Sequence, residues 1–288
     1  MIISSIYNEE ELNNINYLDG AIIMAPKFAI NYGNINLDKA INILLNQNKM
    51  AIIGMDQIFT EERINEAISI IDKYLDNKDI YFYVSDIGLI NHGIEKKEIS
   101  RFIFDSKTMI TNYEDAKIYS SFGMNALGLS NEITYKDALL ITKEAPFNYF
   151  YFVFGKKIMF NSKRKILSIY KEYKNIKNDD KVLYISEPKK NNSYPLVENE
   201  YNLSIYRDYI ISYHNDLNNP SEFKYLYLDS FDIKPEIYTK ILKSYYDYFS
   251  NLITKEEFIK NISDLNLNIK DGFKYFDTIY QKEEILNG

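Results

Sequence analysis

Apolar runs of a few residues alternate with longer stretches in which apolar side chains recur every three or four positions. The short runs are Ile2–Ser5, Gly20–Met24, Met50–Met55, Ile80–Val84, Arg101–Phe104, Asn125–Leu129, Phe147–Phe154 and Glu222–Leu228. Each reads as a strand, and the solid apolar run Phe147–Phe154 reads as one buried on both faces. Helical patterns fill the gaps: a polar helix over Glu9–Asn14, then Leu37–Leu45 on Ile41, Leu44 and Leu45. Thr60 opens a helix that runs to about Leu75 on Ile64, Ala67, Ile68 and Ile71, with Glu61 and Glu62 at its positive end. Asn112–Ser121 and Thr134–Lys143 are shorter helices, and Pro235–Leu252 is a long one with proline in its first turn. Strand–helix units repeated eight times in roughly 250 residues predict a (β/α)8 TIM-like barrel. A doubly wound sheet is the alternative.

The seventh and eighth strands are separated by a stretch that fits no further unit. It predicts an α/β insertion made of a basic helix (Ser162–Tyr173), an antiparallel pair (Val182–Glu187 and Tyr194–Val197) and a helix (Ser204–Leu217). Lys189-Lys190-Asn191-Asn192-Ser193 reads as the turn of the pair. The chain thus divides into barrel strands one to seven (1–160), the insertion (161–220), and the eighth strand with C-terminal helices (221–288).

Composition narrows the chemistry. The 288 residues include no cysteine and two histidines. This excludes disulfides, thiolate catalysis and cysteine-held zinc or iron–sulfur clusters, and makes a histidine-built metal site unexpected. No metal or other cofactor is expected, and His92 and His214 are expected at the surface. The N-terminus carries no signal-peptide pattern, and no uncharged run reaches the ~20 residues of a membrane helix. A cytoplasmic protein without membrane contact is expected.

The net charge of −7 does not advertise nucleic-acid binding, but the cations are unevenly placed. Lys156, Lys157, Lys163, Arg164 and Lys165 crowd the end of the seventh strand, where a barrel carries its functional loops. They are candidate RNA-binding residues; the alternative is a solvated face. Asp86, Ser130, Glu132 and Asp229 also follow strands, and Asn112, Ser162 and Arg164 lie close by in sequence. Together they form a candidate pocket. Each has a structural alternative: Asn112 and Glu132 as helix caps, and Asp86 and Asp229 as hydrogen-bonded scaffolding. No catalytic residue is assigned.

The strand ends also carry a resemblance. Asp19-Gly20-Ala21-Ile22-Ile23-Met24, Asp86-Ile87-Gly88-Leu89-Ile90, Asp105 to Asn112, Leu129-Ser130-Asn131-Glu132-Ile133 and Phe152-Val153-Phe154-Gly155 follow one another in a familiar order. So do Asn161-Ser162-Lys163-Arg164, Asn199-Glu200-Tyr201 and Gly272 to Tyr280. The series resembles the U-32 family of collagenase-like peptidases over essentially the whole chain, and most closely its short branch. That resemblance implies RNA modification more than proteolysis, since relatives hydroxylate a tRNA wobble uridine in a prephenate-dependent reaction, or a ribosomal RNA cytidine. Such relatives hold an iron–sulfur cluster on four cysteines, and one branch works as a pair of related subunits.

This chain departs from the pattern where chemistry is expected. Ile158 and Lys165 stand at the first two cysteine positions, and the segment with the other two is missing after Tyr170. Asn131 stands for an arginine, and Tyr227-Leu228-Asp229-Ser230-Phe231 replaces a Lys-Ile-Glu-Gly-Arg motif. Losing guanidinium groups removes bidentate partners for a dicarboxylate. The resemblance therefore implies an accessory, cluster-free subunit of a tRNA wobble-uridine hydroxylation system, paired with a cysteine-bearing relative and contacting tRNA. A U-32-type hydrolase and a non-catalytic barrel for a small anionic metabolite are the alternatives.

Overall fold

The computed structural model describes residues 1–178, 180–186 and 192–276. The strands are β1 (Ile2–Ile6), β2 (Gly20–Met24), β3 (Met50–Met55), β4 (Ile80–Val84), β5 (Phe102–Phe104), β6 (Ala126–Gly128) and β7 (Tyr149–Gly155). They continue with β8 (Ile158–Ser162), β9 (Leu183–Ser186), β10 (Ser193–Glu198), β11 (Leu203–Tyr206), β12 (Ile211–Ser212) and β13 (Tyr225–Leu228). The helices are α1 (Leu37–Asn46), α2 (Glu61–Tyr74), α3 (Ile87–Glu95), α4 (Tyr113–Ser120), α5 (Tyr135–Glu144), α6 (Ile166–Lys174), α7 (Pro235–Phe249) and α8 (Lys255–Ser263). A 3-10 helix over Glu9–Tyr17 follows β1.

Strands β1 to β7 and β13 pair in parallel, each with its neighbours, and β7 closes the ring against β6. The fold is a closed (β/α)8 barrel. Its strands are buried on both faces because alternate residues face two different cores. Ile3, Ile22, Ile52, Tyr83, Ile103 and Phe150 pack inside the barrel. Their sequence neighbours Ile2, Ile23, Ile53, Phe82, Phe102 and Tyr149 pack outward under the helices. Arg101 locks the end of the barrel remote from the cavity described below. Its buried guanidinium donates to the carbonyls of Leu75, Asn77 and Ile80.

The insertion differs from expectation in two places. Ile158–Ser162 forms a strand, and the basic helix begins only at Ile166. Ser204–Leu217, expected as a helix, instead supplies β11 and β12. Residues 203–206 pair with β10 at one edge and β8 at the other, so sheet pairing outweighs a helical spacing that is short and ambiguous. The result is an antiparallel sheet in the order β8-β11-β10-β9. The antiparallel pair is present as β9 and β10. Its expected turn at 189–193 lies largely outside the described residues, as does the end of the Gly272 to Tyr280 motif. No helix among the described residues is long and apolar enough to cross a membrane.

The small sheet caps the C-terminal mouth of the barrel. Asn199 donates to the carbonyl of Ile30, and Tyr201 lies under the Arg63 guanidinium at 3.6 Å. Tyr206 stacks on Phe231 at 3.8 Å, and Tyr184 donates to Asp232. These contacts hold the cap over the strand ends.

Candidate functional site

A cavity of about 540 Å³ lies between the barrel mouth and this cap. Its floor is made of residues that follow β3, β5 and β13. Asp56 accepts from the backbone N–H of Ile30 at 2.8 Å. Asp105 accepts from the Tyr83 phenol at 2.6 Å and from the N–H of Lys107. Asp229 accepts from Tyr7 and Tyr227, each at 2.8 Å, and from the N–H of Phe231. Burial, then the Asp229 charge, raises both phenols well above their usual range, so they stay protonated donors.

Lys107 ties the floor together. Its ammonium lies 3.1 Å from Asp105 and 3.6 Å from Asp56, and it also contacts the Tyr83 hydroxyl. Burial works against its charge, but the Asp105 and Asp56 carboxylates outweigh it and raise its pKa. Burial raises the Asp56 pKa, against the pull of Lys107. Gly128 makes room for this arrangement: a Cβ there would meet the Asp105 carboxyl carbon at 2.4 Å.

The roof is different in character. Lys157 extends over Phe152 and Tyr213, with ring centroids 5.2 and 5.9 Å from its ammonium. Arg207 donates its backbone N–H to the Lys157 carbonyl at 2.9 Å and lays its guanidinium against Phe273 at 5.3 Å. Neither forms an ion pair among the described residues. Burial brings the Lys157 pKa down to about 8; the Asp105 charge opposes this, and the Arg207 and Lys107 charges add to it. The site therefore has a hydrogen-bonded floor of three carboxylates and one ammonium, aromatic walls and two cations above.

The candidates from sequence divide accordingly. Asp229, Glu132, Ser162, Lys156, Lys157 and Lys163 line the cavity. Asp86 sits beside it, with its carboxylate occupied by the N–H groups of Gly88 and Phe59. Ser130 is buried and accepts from the N–H of Glu132. Asn112 is exposed and caps α4 through the N–H of Asp115. Arg164 and Lys165 are exposed beyond the cavity rim. The cations also separate: Lys156 pairs with Asp232 at 2.6 Å, Lys157 points inward, and Lys163, Arg164 and Lys165 lead into α6.

Asp56, Asp105, Lys107, Tyr7 and Arg207 are absent from the sequence-derived set. The first two follow strands just as Asp86 and Asp229 do, so the same strand-end rule applied to every strand finds them. Arg207 carries no local signal, because its place depends on the unexpected strands around it.

Both histidines are buried, contrary to expectation. His92 pairs with Asp72 at 2.8 Å, across α3 and α2. The His214 Nδ1 lies 2.8 Å from the Ser212 hydroxyl. That pair has the composition of a hydrolytic dyad, but it is only 2% and 4% exposed and stands outside the cavity lining. Burial, then the Lys274 charge, lowers the His214 pKa to about 4, which holds the ring neutral. Its role is structural.

An iron–sulfur cluster does not fit this chain. Ile158 and Lys165 offer no thiolate, and the sequence holds no cysteine. No group of three His, Cys, Asp or Glu among the described residues is placed to hold a metal ion.

No curated protein matches the chain. A solved chitinase from Chromobacterium violaceum aligns at 9% identity and a TM-score of 0.38, over 79% of this chain and 93% of its own. The sequence profile described as Peptidase family U32 matches residues 26–275, a span that takes in the floor, the roof and the capping sheet. The chain belongs to peptidase family U32.

Proposed function

We propose that this chain binds a small organic anion in the cavity between barrel and cap. The supporting observation is the roof: Lys157 and Arg207 lie side by side without ion-pair partners among the described residues, in an aromatic enclosure. Unpaired cations in a half-buried site favour an anionic ligand, and flat rings favour one with an apolar body. The floor carries three carboxylates to the one ammonium of Lys107, with phenols donating to Asp105 and Asp229, so the ligand's anionic group is directed to the roof and away from the floor. The test is thermal stability against a panel of small carboxylates and their neutral amides. Carboxylates should raise Tm, and Arg207→Gln should reduce the rise. Equal effects from acids and amides would sink the reading.

The exposed cations favour a larger setting. Lys163, Arg164 and Lys165 present positive charge at the rim of the cavity, on a protein that is acidic overall. With the family membership, this supports a role as the cluster-free, cytoplasmic partner of a cysteine-bearing relative in tRNA wobble-uridine hydroxylation. Co-purification with such a relative, and loss of the hydroxylated uridine when this gene is deleted, is the expected result. Normal hydroxylation in the deletion strain would refute it.

A further inference from the structure

We propose that Lys157 is a nucleophilic amine that condenses reversibly with the carbonyl carbon of a small 2-oxo acid in the cavity, with Arg207 holding the acid's carboxylate. The proposal rests on the anion-binding reading and adds a covalent step to it.

The geometry distinguishes Lys157 from its neighbours. Lys107 pairs with two carboxylates, and Lys156 pairs with Asp232. A lysine that only held the fold would be expected to end in such a pair. Lys157 instead ends over the faces of Phe152 and Tyr213, inside the cavity, with no carboxylate paired to it among the described residues. The rings strip water from the amine. Arg207 and Lys107 add positive charge nearby, and Asp105 only partly offsets it. Desolvation with neighbouring cations is how an enzyme keeps a lysine neutral enough to attack a carbonyl. A pKa of about 8 leaves a useful neutral fraction near neutral pH.

Arg207 supplies the second requirement. The backbone bond from its N–H to the Lys157 carbonyl holds the two residues together. A carboxylate on the guanidinium would bring the adjacent carbonyl carbon towards the amine. The Nζ lone pair then adds to that carbon, and the C=O π pair becomes an alkoxide that takes a proton. The resulting carbinolamine expels water as the nitrogen lone pair forms the C=N bond. The alkoxide's proton comes from the attacking nitrogen, and a solvent proton leaves with the hydroxyl as water, so amine, ketone and that proton become protonated imine and water, with no oxidant or reductant consumed. The protonated imine keeps the positive charge that faces Asp105.

The experiment uses the full-length chain with pyruvate, followed by sodium borohydride, intact-mass measurement and peptide mapping. One reduced adduct per chain is expected, on Lys157, with a yield that climbs as pH rises through about 8. Lys157→Met and Lys157→Arg should lose it. Arg207→Gln should lower the yield about tenfold at limiting pyruvate, the loss of one charged contact, and recover at high pyruvate. If the Lys157 variants fail to fold, the mapped position in the unaltered chain decides. Adducts scattered over exposed lysines, or none on Lys157 with pyruvate, phenylpyruvate or 2-oxoglutarate, overturn the proposal. Lactate has the carboxylate without the carbonyl and separates the two ideas. A rise in Tm with lactate, but no trapped Lys157, refutes the imine and leaves anion binding standing. No rise with any of these acids, and no adduct, refutes both.

Discussion

Asp229 shows how one side chain serves both the fold and the site. Its carboxylate receives two phenols and one backbone N–H, those of Tyr227 and Phe231 buried and that of Tyr7 half-buried, so removing it leaves three donors without an acceptor. Each orphaned donor costs on the order of 1 kcal/mol or more, so Asp229→Ala should lower unfolding stability by about 3 kcal/mol, read from urea melts. An unchanged midpoint would mean that water replaces the carboxylate. His214 offers a test through pH. Its folded pKa of about 4 lies below the ordinary 6.5, so the unfolded chain takes up a proton first as pH falls. The stability it confers is complete above about pH 6.5 and is lost as pH falls towards 4, amounting to about 3 kcal/mol for a shift of this size. His214→Gln should flatten the difference in stability between pH 7 and pH 4.5; an equally steep decline would place the acid sensitivity elsewhere. The burial of this histidine is invisible in the sequence, where nothing announces that Phe258 of α8 sets its ring edge-on to the imidazole, with centroids 6.5 Å apart.

The elements were legible where periodicity was long or the run was wholly apolar. The barrel strands show as apolar runs because each is buried on both faces, and the N-caps at Asn112 and Thr134 mark helix starts. The cap was harder, because its strands are short, partly exposed and paired with distant residues. Leu203 to Tyr206 reads as helix or strand until β8 and β10 are placed beside it. The tail after α8 depends on similar long-range contacts. Ile269 bridges Ile210, the Lys270 N–H donates to the Ile210 carbonyl, and Lys274 pairs with Asp216 at 2.5 Å while donating to Ser212. Lys274 is almost wholly buried, so Lys274→Met would leave Asp216 with the Tyr275 hydroxyl but without its ammonium. The expected loss is about 3 to 5 kcal/mol by chemical denaturation, together with faster exchange of the β12 amides. A smaller loss with unchanged exchange would show that the tail is not a fastener of that strand.

At the scale of the whole molecule, charge and shape point in different directions. The chain is acidic, yet it gathers Lys163, Arg164 and Lys165 on the exposed rim of the cap, next to the cavity mouth. The sequence reading grouped these with Lys156 and Lys157. The fold separates them, since Lys156 is held by Asp232 and Lys157 faces inward. The cationic segment left for a phosphate backbone is therefore the rim triplet, continued by Lys171 and Lys174 at the far end of α6. Contacts to phosphate release counterions, so the logarithm of affinity falls with the logarithm of salt in proportion to their number. If the role proposed above holds, changing Lys163, Arg164 and Lys165 together to Ala should weaken tRNA binding by the proposed complex of this chain with a cysteine-bearing relative. The salt slope should fall by about 2 to 3, the share of three phosphate contacts. Arg164 and Lys165 are exposed, so the triple variant should melt within a degree or two of the unaltered chain. A large drop in Tm would point to anchoring in the cap instead. With Tm intact, an unchanged salt slope would remove the rim from the RNA path, and the proposed anion site in the barrel mouth would be the reading left for this chain.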